Sequence, residues 1–218
     1  MALLWREETN KTLRGVNMKV KDVIYHVANL VSMTDVATIL DIRELELSQG
    51  ETYTFSSSEY SKLKKVTDAI TSALERISRE YVPFVATEIV RSDSEGRVAI
   101  NSLQKNVHRV VSAFAVQSGA KSYVTDDGNT IKLERPNTSY YLKYHFVPSA
   151  VGLADLDKDL SMPFCISRVV LSYAVARDIA LLTSCYDEAE VWDRKMQESL
   201  KRSLSPAREI KIGRRKFL

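Results

Sequence analysis

The chain has 218 residues, of which 44% are hydrophobic and 27% are charged, and its formal net charge is +3. This length and composition allow a proper core and fit one domain, or one domain that carries an insertion. No apolar run approaches the roughly 20 residues that span a bilayer, so we expect no transmembrane helix and no membrane partner. Charged residues follow the N-terminus too soon for a secretory signal, so we expect synthesis inside the cell.

Positive charge is concentrated near the C-terminus. Residues 201–218 contain seven Lys or Arg and one Glu, a net charge of +6, so residues 1–200 together carry −3. We therefore expect a mildly acidic body and a basic tail. Net charge of this kind bears on the choice of partners and not on the fold.

The first third of the chain predicts helices. Residues 1–17 lack sustained periodicity and are expected to form an N-terminal arm, whereas three-four spacing from Met18 predicts a helix over about 18–31 with Asn17 as a cap. Residues 34–47 fit a short helix followed by a strand about as well as a loop. Ser56, Ser57 and Ser58 offer N-caps for a further helix that ends before Pro83. The apolar positions of that helix are Tyr60, Leu63, Val66, Ile70, Leu74, Ile77 and Tyr81.

Between Phe84 and Phe146 the hydrophobic period changes from helical spacing to two. The segments between turn sequences predict about six antiparallel strands, forming a small half-exposed sheet or a sandwich. The turn sequences are Ser92–Gly96, Ser118–Gly119 and Asp126–Asn129, and the last is the strongest hairpin signal in the chain.

Residues 162–204 have the pattern of two consecutive helices joined by a tight corner. Pro163 suits the first turn of one helix, and Asp187 suits the N-cap of the next, with acidic residues following it. The apolar stripe of the first helix comprises Ile166, Val169, Val170, Tyr173, Ala174, Ala176, Ala180 and Leu181, and that of the second comprises Ala189, Trp192, Met196, Ser199 and Leu200.

These elements predict an α+β fold. We expect a helical bundle of about four helices with an inserted antiparallel β module and an extended C-terminal tail. The corresponding segments are an N-terminal arm (1–17), N-terminal helices of the bundle (18–83), the β module (84–148), C-terminal helices of the bundle (149–204) and a basic C-terminal arm (205–218).

Few residues are arranged for chemistry. His26, His108 and His145 lie on three different predicted elements and lack metal-ligand spacing, and phosphate-binding and nucleophile motifs are absent from the sequence. The acidic run of residues 155–159 lacks the Gly and Glu of a calcium loop, so an exposed connector is the better interpretation. We predict no catalytic residue, no metal, no cofactor and no enzymatic activity.

The two cysteines, Cys165 and Cys185, belong to the helical stretch. About five helical turns, roughly 30 Å, separate them, so they cannot form a disulfide with each other. We expect both to be small buried side chains. Arg177 and Asp178 are adjacent on one helix, where neighbouring side chains point in different directions, and we expect them to make i,i+4 or inter-subunit contacts.

The C-terminal arm, SPAREIKIGRRKFL, has three interpretations. It is a disordered basic terminus, an extended arm that lies in a groove of another subunit, or a segment that contacts nucleic-acid phosphates. Alternation in Ile210, Lys211 and Ile212 and the apolar Phe217 and Leu218 fit the second interpretation.

Two stretches match a pattern found in one protein family. The first is DDGNTIKL followed by SYYLKYHFVPS, and the second is the helix pair MPFCISRVVLSYAVARDIALLTSCYDEAEVWDRKMQESL. In these features residues 120–204 resemble the head-to-tail adaptor (connector or head-completion) proteins of tailed bacteriophages, and the N-terminal helices resemble them in outline. The β insertion is larger than in the smallest members of that family.

The resemblance implies a structural protein of the virion neck, synthesised in the host cytoplasm. Its partners are then further copies of itself in a ring of about twelve, the portal protein, and a tail, stopper or nozzle protein, around a channel through which DNA passes without sequence-specific binding. The residues hypothesised to bind the portal are Ile210, Lys211, Ile212, Arg214, Arg215, Lys216, Phe217 and Leu218. Those hypothesised at the subunit interface are Arg177, Asp178, Trp192 and Arg194.

Two alternatives remain beside the adaptor. One is another ring component, such as a tail terminator, a stopper or a baseplate protein. The other is a nucleic-acid-binding accessory protein that uses the basic C-terminus on phosphates.

Overall fold

The structure, a computed structural model, describes residues 18–160 and 162–204. This part of the chain is mixed α/β, with five α-helices and antiparallel sheets. The helices are α1 (Val20–Leu30), α2 (Thr34–Ser48), α3 (Ser57–Arg76), α4 (Arg168–Leu182) and α5 (Tyr186–Leu204). The strands are β1 (Met18–Lys19), β2 (Phe84–Arg91), β3 (Arg97–Ala99), β4 (Asn106–Ala115), β5 (Lys121–Ser122), β6 (Val124–Asp126), β7 (Thr130–Leu133), β8 (Ser139–Val147) and β9 (Asp159–Leu160). The predicted N-terminal and C-terminal arms lie outside the described residues.

The first predicted helix is confirmed, with a later start. Met18 and Lys19 pair with Leu160 and Asp159 as a two-stranded antiparallel ribbon, so the helix begins at Val20. The predicted cap, Asn17, lies outside the described residues. The three-four spacing faces a core as expected, with Val20, Val23, Ile24, Val27 and Ala28 buried.

The stretch left open in the sequence is a single helix, α2. Val36, Ile39 and Leu40 are buried against the helical core, whereas Leu45 is 59% exposed. One apolar side is enough to hold this helix, because tertiary packing stabilises helices more than intrinsic propensity does.

Helix α3 begins and ends as predicted. The Ser56 hydroxyl accepts a hydrogen bond from the Glu59 backbone N–H at 3.3 Å, and Glu59 Oε2 accepts one from the Ser56 N–H at 2.8 Å, which is a capping box. The helix continues into a π-helical turn, Ile77–Tyr81, before Pro83. In that turn the Val82 N–H bonds to the Ile77 carbonyl at 2.9 Å.

The β region lies between α3 and α4 in sequence and has seven strands, against about six expected. A four-stranded antiparallel sheet has the order β2-β8-β4-β5, and a three-stranded one has the order β3-β7-β6. The predicted hairpin at Asp126–Asn129 is confirmed, since β6 and β7 pair across it and Gly128 has a φ of +89°. The two sheets share a core that is separate from the core of the helices.

Both helix starts predicted for residues 162–204 are wrong. Helix α4 begins at Arg168 and not at Pro163, because Ser167 is its N-cap and accepts a hydrogen bond from the Val170 N–H at 3.3 Å. Before it, the Ile166 N–H bonds to the Pro163 carbonyl at 2.9 Å in a turn that packs on the helical core. Helix α5 begins at Tyr186, so Asp187 lies inside its first turn and is not the cap.

Candidate functional site

An ion network joins three helices. Asp178 of α4 accepts from Arg76 of α3 at 3.1 Å and from its neighbour Arg177 at 2.8 Å, and Asp193 of α5 lies 3.3 Å from the Arg177 Nε. Arg76 also lies 3.6 Å from Asp193. Two cations therefore meet two carboxylates, and the cluster is formally neutral. The expectation that Arg177 and Asp178 point apart is wrong, because their side chains bend toward the same network.

The ion network includes Arg177 and Asp178, two of the four residues hypothesised at the subunit interface. The Asp178 side chain is only 8% exposed and Arg177 is 28% exposed, so both serve contacts within the chain. Trp192 stacks on Tyr173 with ring centroids 5.7 Å apart, and the Lys195 ammonium lies 4.3 Å from the Trp192 centroid. Arg194 is exposed on the adjacent part of α5. Of the four residues, Arg194 has the most surface available to a partner.

The corner between α4 and α5, residues 181–191, is an acidic and apolar surface that we call the helical corner. Leu182 is 70% exposed and Tyr186 is 67% exposed. The segment contains no Lys or Arg. It carries three exposed carboxylates, Asp187, Glu188 and Glu190, and within residues 18–160 and 162–204 none of them forms an ion pair.

Cys185 also lies in the helical corner. It is exposed, so the prediction of two buried cysteines is confirmed for Cys165 and wrong for Cys185. The reason is the corner itself: residues 183–185 leave helix α4, and their side chains project away from the core.

One face of the four-stranded sheet is basic, and we call it the outer sheet face. Strands alternate side chains between faces, and Tyr140, Leu142 and Tyr144 of β8 are buried on the inner side. The opposite side presents Val85, Thr87, Ile89, Arg91, Arg109, Lys121, Tyr141, Lys143 and His145. Ile89 is 63% exposed and Tyr141 is 45% exposed, and they are directly paired.

The cations of the outer sheet face lack counter-charges. Arg91, Arg109, Lys121 and Lys143 are exposed, and in the part of the chain that the structure describes none of them pairs with a carboxylate. Strands β2, β4, β5 and β8 place no Asp or Glu on this side. The one acid among them, Glu88, turns inward and accepts a hydrogen bond from the Tyr144 hydroxyl at 2.7 Å. The face is therefore an unneutralised basic patch with exposed apolar side chains.

Two histidines meet at one end of this face. Arg109 pairs with His145 across β4 and β8, and an irregularity in β4 inserts His108 beside Arg109. Burial, together with Arg109, His108 and Lys143, lowers the pKa of His145. Sequence reasoning missed this pair because it treated the two strands as separate elements; antiparallel pairing of the predicted strands was the signal that joins them.

The acidic connector is more than an exposed loop. Asp157 bonds to Lys21 of α1 at 2.9 Å and to Arg43 of α2, and these two cations lower its pKa to about 2. Asp155 pairs with Lys158 at 2.6 Å. In the described segments no group of three or more His, Cys, Asp or Glu has the arrangement of a metal site.

The residues hypothesised to bind the portal, from Ile210 to Leu218, lie outside the described residues. None of the helices described is both long enough and apolar enough to cross a bilayer. A scan of the chain against protein-family models finds no match, and a search among curated proteins finds none either.

Proposed function

We propose that this chain is a structural virion protein, the head-to-tail adaptor of a tailed bacteriophage. Its copies form a ring of about twelve at the neck, between the portal vertex and a tail, stopper or nozzle protein, and complete the channel for DNA. Each copy is a helical bundle with an inserted β module, and its basic C-terminal arm docks on the portal. The resemblance of residues 120–204 supports this assignment.

The observation that carries the proposal is a pair of complementary surfaces on one chain. The outer sheet face offers cations around exposed apolar side chains, and the helical corner offers carboxylates around Leu182 and Tyr186; within the described part of the chain neither set forms ion pairs. A ring requires two different patches on each subunit, since a head-to-tail contact joins one patch to the other and closes when the rotation per copy allows it. We propose that the outer sheet face of one copy binds the helical corner of the next.

In such a contact the charged and the apolar side chains have different roles. Opposite charges fix the orientation and speed the encounter, but exposed ion pairs contribute little affinity. Ile89 and Tyr141 on one side, and Leu182 and Tyr186 on the other, supply the apolar area. Association therefore weakens with salt without being abolished by it.

Charge exchange tests this contact. One variant carries Arg91→Glu, Lys121→Glu and Lys143→Glu, which changes the four cations of the outer sheet face from +4 to −2, so that both of its surfaces are acidic. The second carries Asp187→Lys and Glu190→Lys, which changes the helical corner from −3 to +1, so that both are basic. Each variant alone repels itself and stays monomeric in analytical ultracentrifugation, whereas an equal mixture assembles with alternating copies. Lys65→Glu, an exposed residue of α3, is the matched control and leaves assembly unchanged. Assembly that ignores both reversals would falsify the contact.

The position at the neck has its own test. Purified portal protein is expected to retain the full chain and to lose a chain that ends after Leu204. If that truncation leaves portal association unchanged, the arm does not dock there, and another ring component becomes the better assignment.

The outer sheet face also favours a second candidate, a nucleic-acid-binding accessory protein. Exposed Arg and Lys around an aromatic residue such as Tyr141 suit a phosphate backbone and its bases. This candidate predicts DNA binding that weakens steeply with rising salt and that is reduced by Arg91→Glu with Lys143→Glu. Assembly of the purified chain without any DNA binding counts against it.

A further inference from the structure

A pocket lies where the π-helical turn meets the four-stranded sheet. Its volume is about 240 Å³. The turn contributes Ser78, Arg79, Glu80 and Tyr81, and strands β4 and β8 contribute His108, Arg109 and His145, with Pro83 between them. The pocket is thus built from three elements that are distant in sequence.

Two irregularities of the backbone meet at this pocket. The π-helical turn interrupts the regular hydrogen bonding at the end of α3, and the register shift in β4 places consecutive residues, His108 and Arg109, on the same lining. Single π turns and β-bulges both occur preferentially at functional sites, because each redirects a side chain that regular structure points elsewhere. Their coincidence distinguishes this pocket from the rest of the outer sheet face.

The charge around the pocket depends on its two imidazoles. Arg109 has no carboxylate partner among the residues described, while Arg79 is held by Glu75 at 2.8 Å. Glu80 is the one acidic side chain that lines the pocket. The guanidinium groups of Arg79 and Arg109 and the carboxylates of Glu75 and Glu80 cancel formally when both imidazoles are neutral, and protonation of either imidazole makes the lining positive. Lys143 adds a further positive charge nearby, because it contributes to the lowered pKa of His145.

We infer that this pocket binds a phosphate group, with Arg109 and the imidazoles of His108 and His145 as its donors. A guanidinium donates two parallel hydrogen bonds to a pair of phosphate oxygens, and imidazolium N–H groups satisfy the remaining oxygens. Tyr81 also lines the pocket. This inference is independent of ring formation, and it assigns to the chain a ligand that the adaptor role does not require.

Binding depends on pH through His145. His108, Arg109 and Lys143 on the sheet and Arg79, Glu80 and Tyr81 on the turn are the charged or titratable groups around it. Burial, together with the nearby Arg109, His108 and Lys143, holds the pKa of His145 below its usual range, so the imidazole is neutral at neutral pH. A bound anion favours the imidazolium form, so a ligand of constant charge, such as the phosphodiesters of DNA, binds more tightly as the pH falls. Inorganic phosphate loses negative charge over the same range, so its affinities are compared at one fixed pH.

Histidine-resolved NMR with inorganic phosphate tests the inference on the full chain. The imidazole signals of His108 and His145 shift on titration and those of His26 do not. Arg109→Gln weakens binding by about tenfold or more at low pH, the loss expected for one charge-assisted contact. Arg91→Gln, on the far end of the same sheet face, is the matched control and leaves binding unchanged. Arg109 is exposed, so its replacement keeps the fold, which circular dichroism checks.

The source of the phosphate is resolved by a second titration with short single-stranded DNA. Binding of free phosphate with the same dependence on Arg109 identifies a small-anion pocket, and binding of DNA alone with that dependence identifies a backbone contact; both support the inference. It is overturned if neither ligand shifts the two imidazoles. It is also overturned if Arg91→Gln and Arg109→Gln weaken binding equally, since the whole sheet face then acts as a diffuse cation surface.

Discussion

The helical part of the chain and the β module differ in the size of their cores and in the pairing of their charged side chains. Among the residues that the structure describes, the helices and the segments packed on them share a core of 28 buried apolar residues, whereas the β module has its own core of nine. In the helices, charges at contacts are neutralised, as Arg76, Arg177, Asp178 and Asp193 illustrate. On the outer sheet face the cations form no ion pair with any carboxylate of residues 18–160 and 162–204. Burial and internal pairing place most of the stability in the helical core, and the two surfaces proposed for contact, the outer sheet face and the helical corner, lie outside it.

The difference in core size sets the largest predicted effects. Leu171 and Leu142 are both fully buried, one in each core. Truncation to Ala removes a buried isobutyl group and leaves a cavity, so each variant lowers the free energy of unfolding by about 3–5 kcal/mol. The β module has the smaller core, so the same loss of free energy is a larger fraction of its local stability. We therefore expect Leu142→Ala to open the β module before the helices unfold.

Hydrogen exchange followed by mass spectrometry separates the two regions. In Leu142→Ala, amides of β2, β4 and β8 exchange faster while those of α3 and α4 stay protected; in Leu171→Ala both regions lose protection. Phe146 packs against both cores, and this shared contact favours unfolding of the two regions together. Equal loss of protection everywhere in both variants would show that the two cores unfold as one cooperative unit.

The ion network of the helices gives the next largest effect. Asp178→Asn keeps the shape of the side chain but leaves the largely buried Arg76 and the neighbouring Arg177 with Asp193 as their shared counter-charge. We expect a loss of about 2 kcal/mol, measured by urea denaturation, because the charge-assisted hydrogen bonds to Asp178 are weakened while Asp193 still compensates the cations in part. Asp68→Asn, which breaks the exposed pair with Lys64, is the control and has little effect. A loss no larger than the control would mean that water screens the network.

A local hydrogen bond has a smaller effect. Ser56→Ala removes the hydroxyl that accepts from the Glu59 N–H at the start of α3, and the cost is about 1 kcal/mol. Ser56→Asp restores an acceptor and is expected to recover most of the loss. If Ala and Asp behave alike, the capping box contributes little beyond what water supplies.

Much of the fold follows from local rules that the sequence displays. The capping box at Ser56, the three-four spacing of α1 and α3, and the hairpin at Gly128 were predictable because each depends on residues within a few positions. The start of α4 was not, because the competing signal at Pro163 is as local as that of Ser167. The start of α4 is determined by the packing of residues 162–166 on the core, and this packing depends on distant segments.

The candidate site was less predictable than the fold. The outer sheet face follows from alternation once strands are predicted, but the pairing of β8 with both β2 and β4 sets which cations gather. The pocket depends on the register shift beside His108 and on the π turn, neither of which has a sequence signature here. The ion network joins residues up to 117 positions apart, from Arg76 to Asp193. Hydrophobic periodicity reports on neighbouring residues only, so it does not indicate this contact.

The smallest predicted effect is the response of the helical part to acid. Lys21 and Arg43 lower the pKa of Asp157 to about 2, below the value of about 3.9 in an unfolded chain. A carboxyl group with a depressed pKa stabilises the folded state fully above its unfolded pKa, and this contribution is lost as the pH falls toward 2. Wild type therefore melts at a higher temperature than Asp157→Asn at neutral pH, and the difference closes in acid. Asp157 is about half exposed, so solvent screening keeps the difference small. Calorimetry across this pH range measures it, and a difference that persists at pH 2 would mean that Asp157 acts through shape and not through charge.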